Sequence, residues 1–292
     1  MKIAVLGDAL LDLEILGCWD GDCPENTNVP IYKGLKPHVY AGGAANVASL
    51  LTSHKVSADL YCDGPGQGDR AWIGSLLKQV VRCNRLVWSN QGAIPVKIRG
   101  IDQNNVVACR IDAEEKMARK NNFPALDALL DDVRAGAYAA VIISDYCKGF
   151  INEHTEQVIM DILKAANVSV IDTKRKSDYF LWKHATAIVP NLPDSLRIFG
   201  TSDPCEIREM VGCKVAYVTR GKDSVLMGCA DGQTEISVLE DIAQPYCVGA
   251  GDIFTVGVTM ALAQSRSYIE AGMAGVKLAG EYVSRGRKSP LR

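Results

Sequence analysis

Short, mainly apolar runs recur along the chain at 3–6, 58–62, 139–144, 168–172, 187–190 and 215–219. Each is too short for a buried helix, and together they predict strands of the parallel, two-sidedly buried kind. Between them lie stretches with apolar residues at helical spacing, at 47–51, 70–81, 154–166 and 253–264. Strand and helix in alternation predict an α/β fold built on a mainly parallel sheet. Two segments break the rhythm. Residues 18–40 are rich in Gly, Pro and Asn, with one strand-like run at 29–32. Residues 94–101 and 106–112 alternate apolar with polar and are joined by Asp102-Gln-Asn-Asn105, a hairpin signal. These segments together predict a small β-sheet outside the main one, serving as a lid over a ligand, as a dimer surface, or as a plain insertion.

Composition narrows this picture. With 292 residues, 48% of them hydrophobic, the chain has ample core for one large domain or two small ones. A net charge of −2 argues against a protein that binds nucleic acid mainly through phosphate contacts, and the basic 285–292 stretch reads as a solvated tail. The ten Cys include no C-x-x-C pair and no zinc-type spacing, so buried, reduced thiols of a cytoplasmic protein are expected. The apolar run at 1–6 is too short for a signal peptide, and no run reaches membrane-spanning length. Four His without shared spacing make histidine catalysis or a histidine metal site unattractive.

In open α/β sheets ligands sit beyond the carboxyl ends of strands. Here those ends carry Asp8 and Asp12, Asp145 and Lys148, Asp172 and Lys174, Asn191 and Asp194, then Thr219, Arg220, Gly221 and Lys222. Last comes Val248-Gly249-Ala250-Gly251-Asp252, which runs straight into an apolar helix. Backbone N–H groups at such a helix start can hold an anion, and a carboxylate beside them suits phosphoryl transfer to a hydroxyl. The plainer reading is a tight turn with Asp252 as helix cap. No G-x-x-x-x-G-K-[ST] loop, protein-kinase signature or dinucleotide fingerprint occurs, and Gly64-Pro-Gly-Gln-Gly68-Asp69 reads as a strand-to-helix turn.

Gly42-Gly43-Ala-Ala-Asn46 and Gly249-Ala-Gly-Asp252 resemble the two signatures of PfkB/ribokinase-type carbohydrate kinases, and the likeness runs over essentially the whole chain. The stretches 7–12, 42–48, 144–149 and 171–174 are similar to the branch that phosphorylates D-glycero-β-D-manno-heptose 7-phosphate at O1. The resemblance implies a single ribokinase-like domain over 1–292, three-layered, with a small β lid from segments of about 13–40 and 92–112. It implies ATP and Mg²⁺ as co-substrate and cofactor, a cytoplasmic setting and a homodimer formed through the lid. It implies Asp252 as catalytic base, with Gly249, Ala250 and Gly251 holding the transferring phosphoryl. Asp8, Asp12, Gly42, Gly43, Asn46, Asp145 and Lys148 would meet the sugar. Lys174, Asn191, Thr219 and Gly221 would lie on the nucleotide, with Asn191 and Asp194 supporting Mg²⁺ through water. Lys97, Arg99 and Arg110 on the hairpin are candidates, by charge, for a phosphate already on the acceptor; a solvated face is the alternative. Thr173 where the family has Pro, Ser224 where it has Gly, and Tyr246-Cys247 before the anion turn depart from the pattern. Another sugar or a nucleoside as acceptor, and a non-catalytic sugar or nucleotide sensor on the same fold, remain open.

Overall fold

Why the chain begins as it does is visible in its first strand. The side chains of Ile3, Ala4, Val5 and Leu6 in β1 (Lys2–Gly7) are fully buried on both faces of a sheet, which explains an apolar run without alternation. A computed structural model of the protein describes residues 1–65, 71–90, 92–102, 106–114, 123–176, 179–238 and 247–285. The hairpin turn at 103–105, residues 66–69 of the glycine-rich turn, Tyr246 and the basic tail from 286 lie outside them.

Among the described residues the main sheet has nine strands. β1 pairs in parallel with β4 (Ser57–Cys62), and β4 with β5 (Arg85–Trp88). On its other side β1 pairs with β8 (Ala140–Asp145), followed by β9 (Ser169–Thr173), β10 (Ala187–Ile188) and β11 (Val215–Thr219), all parallel. Antiparallel β12 (Ser224–Cys229) and β13 (Gly232–Ser237) close that edge. The chain therefore runs outward from β1 in one direction and restarts at β8 in the other. The switch point lies between the ends of β1 and β8, where Gly7 pairs with Ser144.

Helices cover both faces. α3 (Pro124–Arg134), α4 (Glu156–Ala165), α5 (Leu192–Phe199) and α6 (Pro204–Val211) pack over Leu6, Ile143 and Ile171. α1 (Ala44–Ser53), α2 (Ala71–Val80), α7 (Ala250–Leu262) and α8 (Tyr268–Arg285) cover the other face. α7 is apolar nearly all round because the sheet, α1 and α8 enclose it. Gly257 and Gly275 let α7 and α8 touch: a Cβ on Gly257 would stand 2.8 Å from the Gly275 Cα.

The second sheet is larger than its sequence suggests. β2 (Ala9–Cys23) and β3 (Asn26–Gly43) form one long antiparallel ribbon. β6 (Val96–Ile101) lies parallel to β2, and β7 (Val107–Ala113) completes the order β3-β2-β6-β7. The expected irregular 18–40 segment is thus mostly strand. Register shifts after Leu16 and Trp19 absorb the glycines, and Pro30 and Pro37 are tolerated because β3 is an edge. Residues of alternating parity divide its faces. Ala9, Leu11, Val39, Ala41 and Val96 join the core, whereas Asp12, Glu14, Gly42, Lys97 and Arg99 share the opposite face.

The expected burial of thiols holds only in part. No disulfide joins any of the ten Cys, but only Cys62, Cys213 and Cys229 are buried; Cys18, Cys109, Cys147 and Cys247 are exposed, because their strands and turns face solvent.

Candidate active site

The start of α7 is shaped by Gly249, whose φ of 87° is a left-handed conformation that favours glycine. A side chain there would also meet the Tyr282 hydroxyl at 2.9 Å and Asn46 Nδ2 at 3.0 Å. The Tyr282 hydroxyl donates to the Val248 carbonyl at 3.1 Å, so α8 braces the turn from behind. Gly251 is exposed while Asp252 beside it is buried, which puts the N–H-rich first turn at a surface with a carboxylate at its floor.

Asp252 has a neutral donor on each oxygen. Asn46 Nδ2, from α1, donates to Oδ2 at 2.6 Å, and the Tyr146 hydroxyl, from the loop after β8, donates to Oδ1 at 3.2 Å. Burial, with the Asp172 charge adding to it, pushes the Asp252 carboxyl up to about 6, held back by the Asn46 hydrogen bond, the Lys174 charge and the Tyr146 hydrogen bond. Such a group is ionised at neutral pH yet basic enough to take a proton from a hydroxyl. Burial, then the charges of Asp252 and Asp172, hold the Tyr146 hydroxyl well above its ordinary range, so it stays a donor.

The second sheet reaches the same place. Asp12 is buried on its inward polar face, where a Cβ on Gly42 would stand 3.1 Å from Asp12 Oδ2. Gly42 thus leaves room beside this carboxylate, and Gly43 (φ 57°) turns the chain into α1, presenting Asn46. Lys97 Nζ lies 5.1 Å from the centre of the Tyr146 ring, and Lys174 Nζ lies 5.7 Å from it. Tyr146 is therefore where strand ends, second sheet and α7 meet.

Lys174 marks an ion-pair cluster. Its ammonium is 3.0 Å from Asp172 Oδ1 and 2.8 Å from Asp194 Oδ2, and Arg197 takes the other Asp194 oxygen at 2.9 Å. Burial opposes charge on Lys174, but Asp172 and Asp194 outweigh it and its pKa rises. Burial likewise opposes charge on Asp194, but Lys174 and Arg197 pull its pKa down. Asn191 caps α5, its side-chain oxygen accepting from the Asp194 N–H at 2.8 Å. Thr219 pairs across a single bridge with Asn191, and Gly221 (φ 64°) shapes the following turn.

Several expected site residues are engaged with other parts of the chain. Both oxygens of Asp8 accept backbone N–H groups, from Tyr146 (2.8 Å), Lys148 (3.0 Å) and Phe150 (3.1 Å), so Asp8 holds the loop. Burial, with Asp145 second, pushes its carboxyl up to about 6. Asp145 is also engaged internally, with the Cys147 N–H, the Thr173 hydroxyl and the Arg175 guanidinium. Thr173, the departure from Pro, thus has a task of its own, as does Ser224, whose hydroxyl accepts from Arg220 Nε at 2.9 Å. Lys148 is paired with Glu114 at 2.6 Å. Of the three hairpin cations, Arg99 is paired with Asp12 at 3.0 Å and Arg110 with Asp112 at 2.7 Å on the surface. Among the described residues no carboxylate comes within ion-pair distance of Lys97, and burial lowers its pKa. Asn191 and Asp194 do not fit direct metal coordination, because their side-chain oxygens are taken by an N–H, Lys174 and Arg197. Among the described residues no cluster of three metal-ligating side chains occurs.

Tyr146, Tyr282 and Arg175 escape the sequence reading. Tyr146 sits between Asp145 and Lys148 at a strand end, which is a signal of position, but its aim at Asp252 is set by the long-range hold of Asp8 on its backbone.

A buried carboxylate at a glycine-turn helix start, set at the switch point of a mainly parallel sheet, defines a phosphotransferase of the ribokinase-like kind. The pfkB family carbohydrate kinase model matches residues 2–289, and the chain belongs to that family. It is 28% identical to the bifunctional protein HldE of Histophilus somni over 92% of this chain and 57% of that protein. It is 30% identical to HldE of Actinobacillus pleuropneumoniae over 97% of this chain and 60% of that protein, so it spans little more than half the length of these relatives. Its fold is similar to that of Arabidopsis thaliana ribokinase complexed with ribose and ATP (TM-score 0.71, 17% identity, covering 99% of this chain and 94% of that one). It is also similar to a ribokinase from Thermotoga maritima (TM-score 0.66, 17% identity, 99% and 95%). No helix among the described residues is long and apolar enough to cross a membrane.

Proposed function

We propose that the chain transfers the terminal phosphoryl group of ATP to a hydroxyl of a sugar phosphate, with O1 of D-glycero-β-D-manno-heptose 7-phosphate as the acceptor. The observation that carries the reading is Asp252, buried, held by two neutral donors and poised at the start of α7. Asp252 takes the acceptor hydroxyl's proton as its oxygen attacks phosphorus. The bond from phosphorus to the β,γ-bridging oxygen breaks and ADP leaves. The N–H groups at Gly249, Ala250 and Gly251 receive charge on the transferring group. Lys174 exchanges Asp172 and Asp194 for nucleotide phosphate, beside Asn191, Thr219 and Gly221. Asp12, Gly42, Gly43 and Asn46 line the acceptor side.

Support for a phosphorylated acceptor comes from Lys97, a partly buried ammonium that no described carboxylate pairs with, on the polar face of the second sheet. The family implies Mg²⁺ with the nucleotide, though Asn191 and Asp194 do not fit as its direct ligands. The second sheet reads as a lid on one continuous kinase domain. Its exposed Trp19, Val29, Val107 and Ile111 suit a homodimer contact, measurable by light scattering. ADP release with ATP and magnesium, with and without the heptose phosphate and against a panel of sugars and nucleosides, tests the function. Stimulation by the heptose phosphate supports it. Stimulation by an unphosphorylated sugar removes the acceptor assignment, and binding without turnover favours a sensor.

A further inference from the structure

We propose that Tyr146 is a positioning residue for phosphoryl transfer: its hydroxyl aims the Asp252 carboxylate and favours the ionised form that accepts the acceptor's proton. The proposal rests on Asp252 being the base.

The geometry that carries it begins at the switch point. Asp8 gathers the N–H groups of Tyr146, Lys148 and Phe150, and Asp145 accepts from the Cys147 N–H. Cys147 is held at φ 57°, a left-handed conformation uncommon for a side-chain-bearing residue. Loop 146–150 is thus wound round two buried carboxylates, and this sends the Tyr146 hydroxyl to Asp252 Oδ1 at 3.2 Å. Asn46 holds the other oxygen at 2.6 Å from an independent element. Two donors from two elements fix the plane of the carboxylate, where one alone would leave it free to swing. The ring of Tyr146 meanwhile lies under Lys97 of the second sheet and near Lys174, so one side chain touches acceptor side, nucleotide side and base.

A donor to a carboxylate stabilises its charged form and lowers its pKa. Removing the hydroxyl alone therefore raises the pKa of Asp252, moving the acidic limb of kcat/KM to higher pH. The charged groups around the pair are Asp172 and Lys174 at the end of β9 and Asp12 and Lys97 on the second sheet; Tyr282 of α8 stands beside Gly249. A Tyr146→Phe change leaves all of them in place along with the ring.

The test is the pH dependence of kcat/KM for wild type, Tyr146→Phe and Asp252→Asn, with folding checked by circular dichroism and the KM for ATP measured alongside. Tyr146→Phe is expected to shift the acidic limb upward by about one unit and to lower kcat by roughly tenfold, the scale of one hydrogen bond to a charged group. Its KM for ATP should stay at the wild-type value. A limb that coincides with the wild-type limb overturns the proposal, even if the variant is less stable, because a merely structural tyrosine would not move it. In that event an inactive Asp252→Asn shows that the base assignment survives. Wild-type turnover by Asp252→Asn removes the base and this proposal together.

Discussion

Asp252 and Asp194 are the same residue type, each in the first turn of a helix, yet their environments drive them in opposite directions. Asp252 meets Asn46 and Tyr146, neutral donors that cannot make up for the loss of water, and its carboxyl rises to about 6. Asp194 meets Lys174 and Arg197, and its carboxyl falls below the ordinary range despite burial. The difference follows the chemistry proposed for each side. A base must gain a proton during turnover, and the two groups that hydrogen-bond Asp252 are donors without charge. A cation awaiting phosphate must stay charged without collapsing the site, so carboxylates hold it until the ligand displaces them.

Removing the proposed base should have the largest effect. Asp252→Asn is expected to lower kcat by about 10²–10⁴-fold with the KM for ATP little changed, measured by coupled ADP release. On the other side, Lys174→Met leaves Asp172 and Asp194 facing each other without their cation. It should raise the KM for ATP by roughly tenfold or more. Gly249→Ala puts a side chain into a left-handed position and against Tyr282 and Asn46, so it should cost about 1–3 kcal/mol and blunt kcat, read by thermal melts and turnover.

Stability separates the two regions by sign. The folded-state pKa of Asp252 is raised, so burying its charge destabilises the fold; that penalty is absent below the unfolded value near 4 and complete above about 6. Asp252→Asn should therefore melt at a higher temperature than wild type at pH 8, and the gain should vanish near pH 4. The depressed pKa of Asp194 gives the reverse: its stabilisation is present above the unfolded value and is lost as pH falls through the lower, folded one. The smallest effect is expected at the hairpin. Arg110→Ala, at an exposed pair, should change stability by under about 0.5 kcal/mol and leave the acceptor's KM unmoved, whereas Lys97→Met should raise the KM for a phosphorylated acceptor alone.

The main sheet is legible in the sequence because its parallel strands are apolar on both faces, as β1, β8 and β9 are. The long ribbon of β2 and β3 is concealed, since Gly17, Gly34, Pro30 and Pro37 look like loop residues until bulges and an edge position accommodate them. So is α8, whose Gly272 and Gly275 look like breakers but are needed for contact with Tyr217 and α7. At the site, Asp252, Asn46 and Asp12 stand out by motif and position. Charge by itself does not tell that Arg99 is taken by Asp12 while no described carboxylate takes Lys97, or that Asp8 commits its oxygens to a loop. Those are long-range pairings, across 87 residues for Arg99 and Asp12 and 138 for Asp8 and Tyr146, and local pattern carries no trace of them.

The measurement that tests the central claim most directly is the acidic limb of kcat/KM for the wild-type protein with its best acceptor from the panel. A buried Asp252 acting as base predicts a single-proton limb with its midpoint at about pH 6. A limb near pH 4, about the range of an ordinary solvated carboxylate, or a flat profile down to that pH would contradict it.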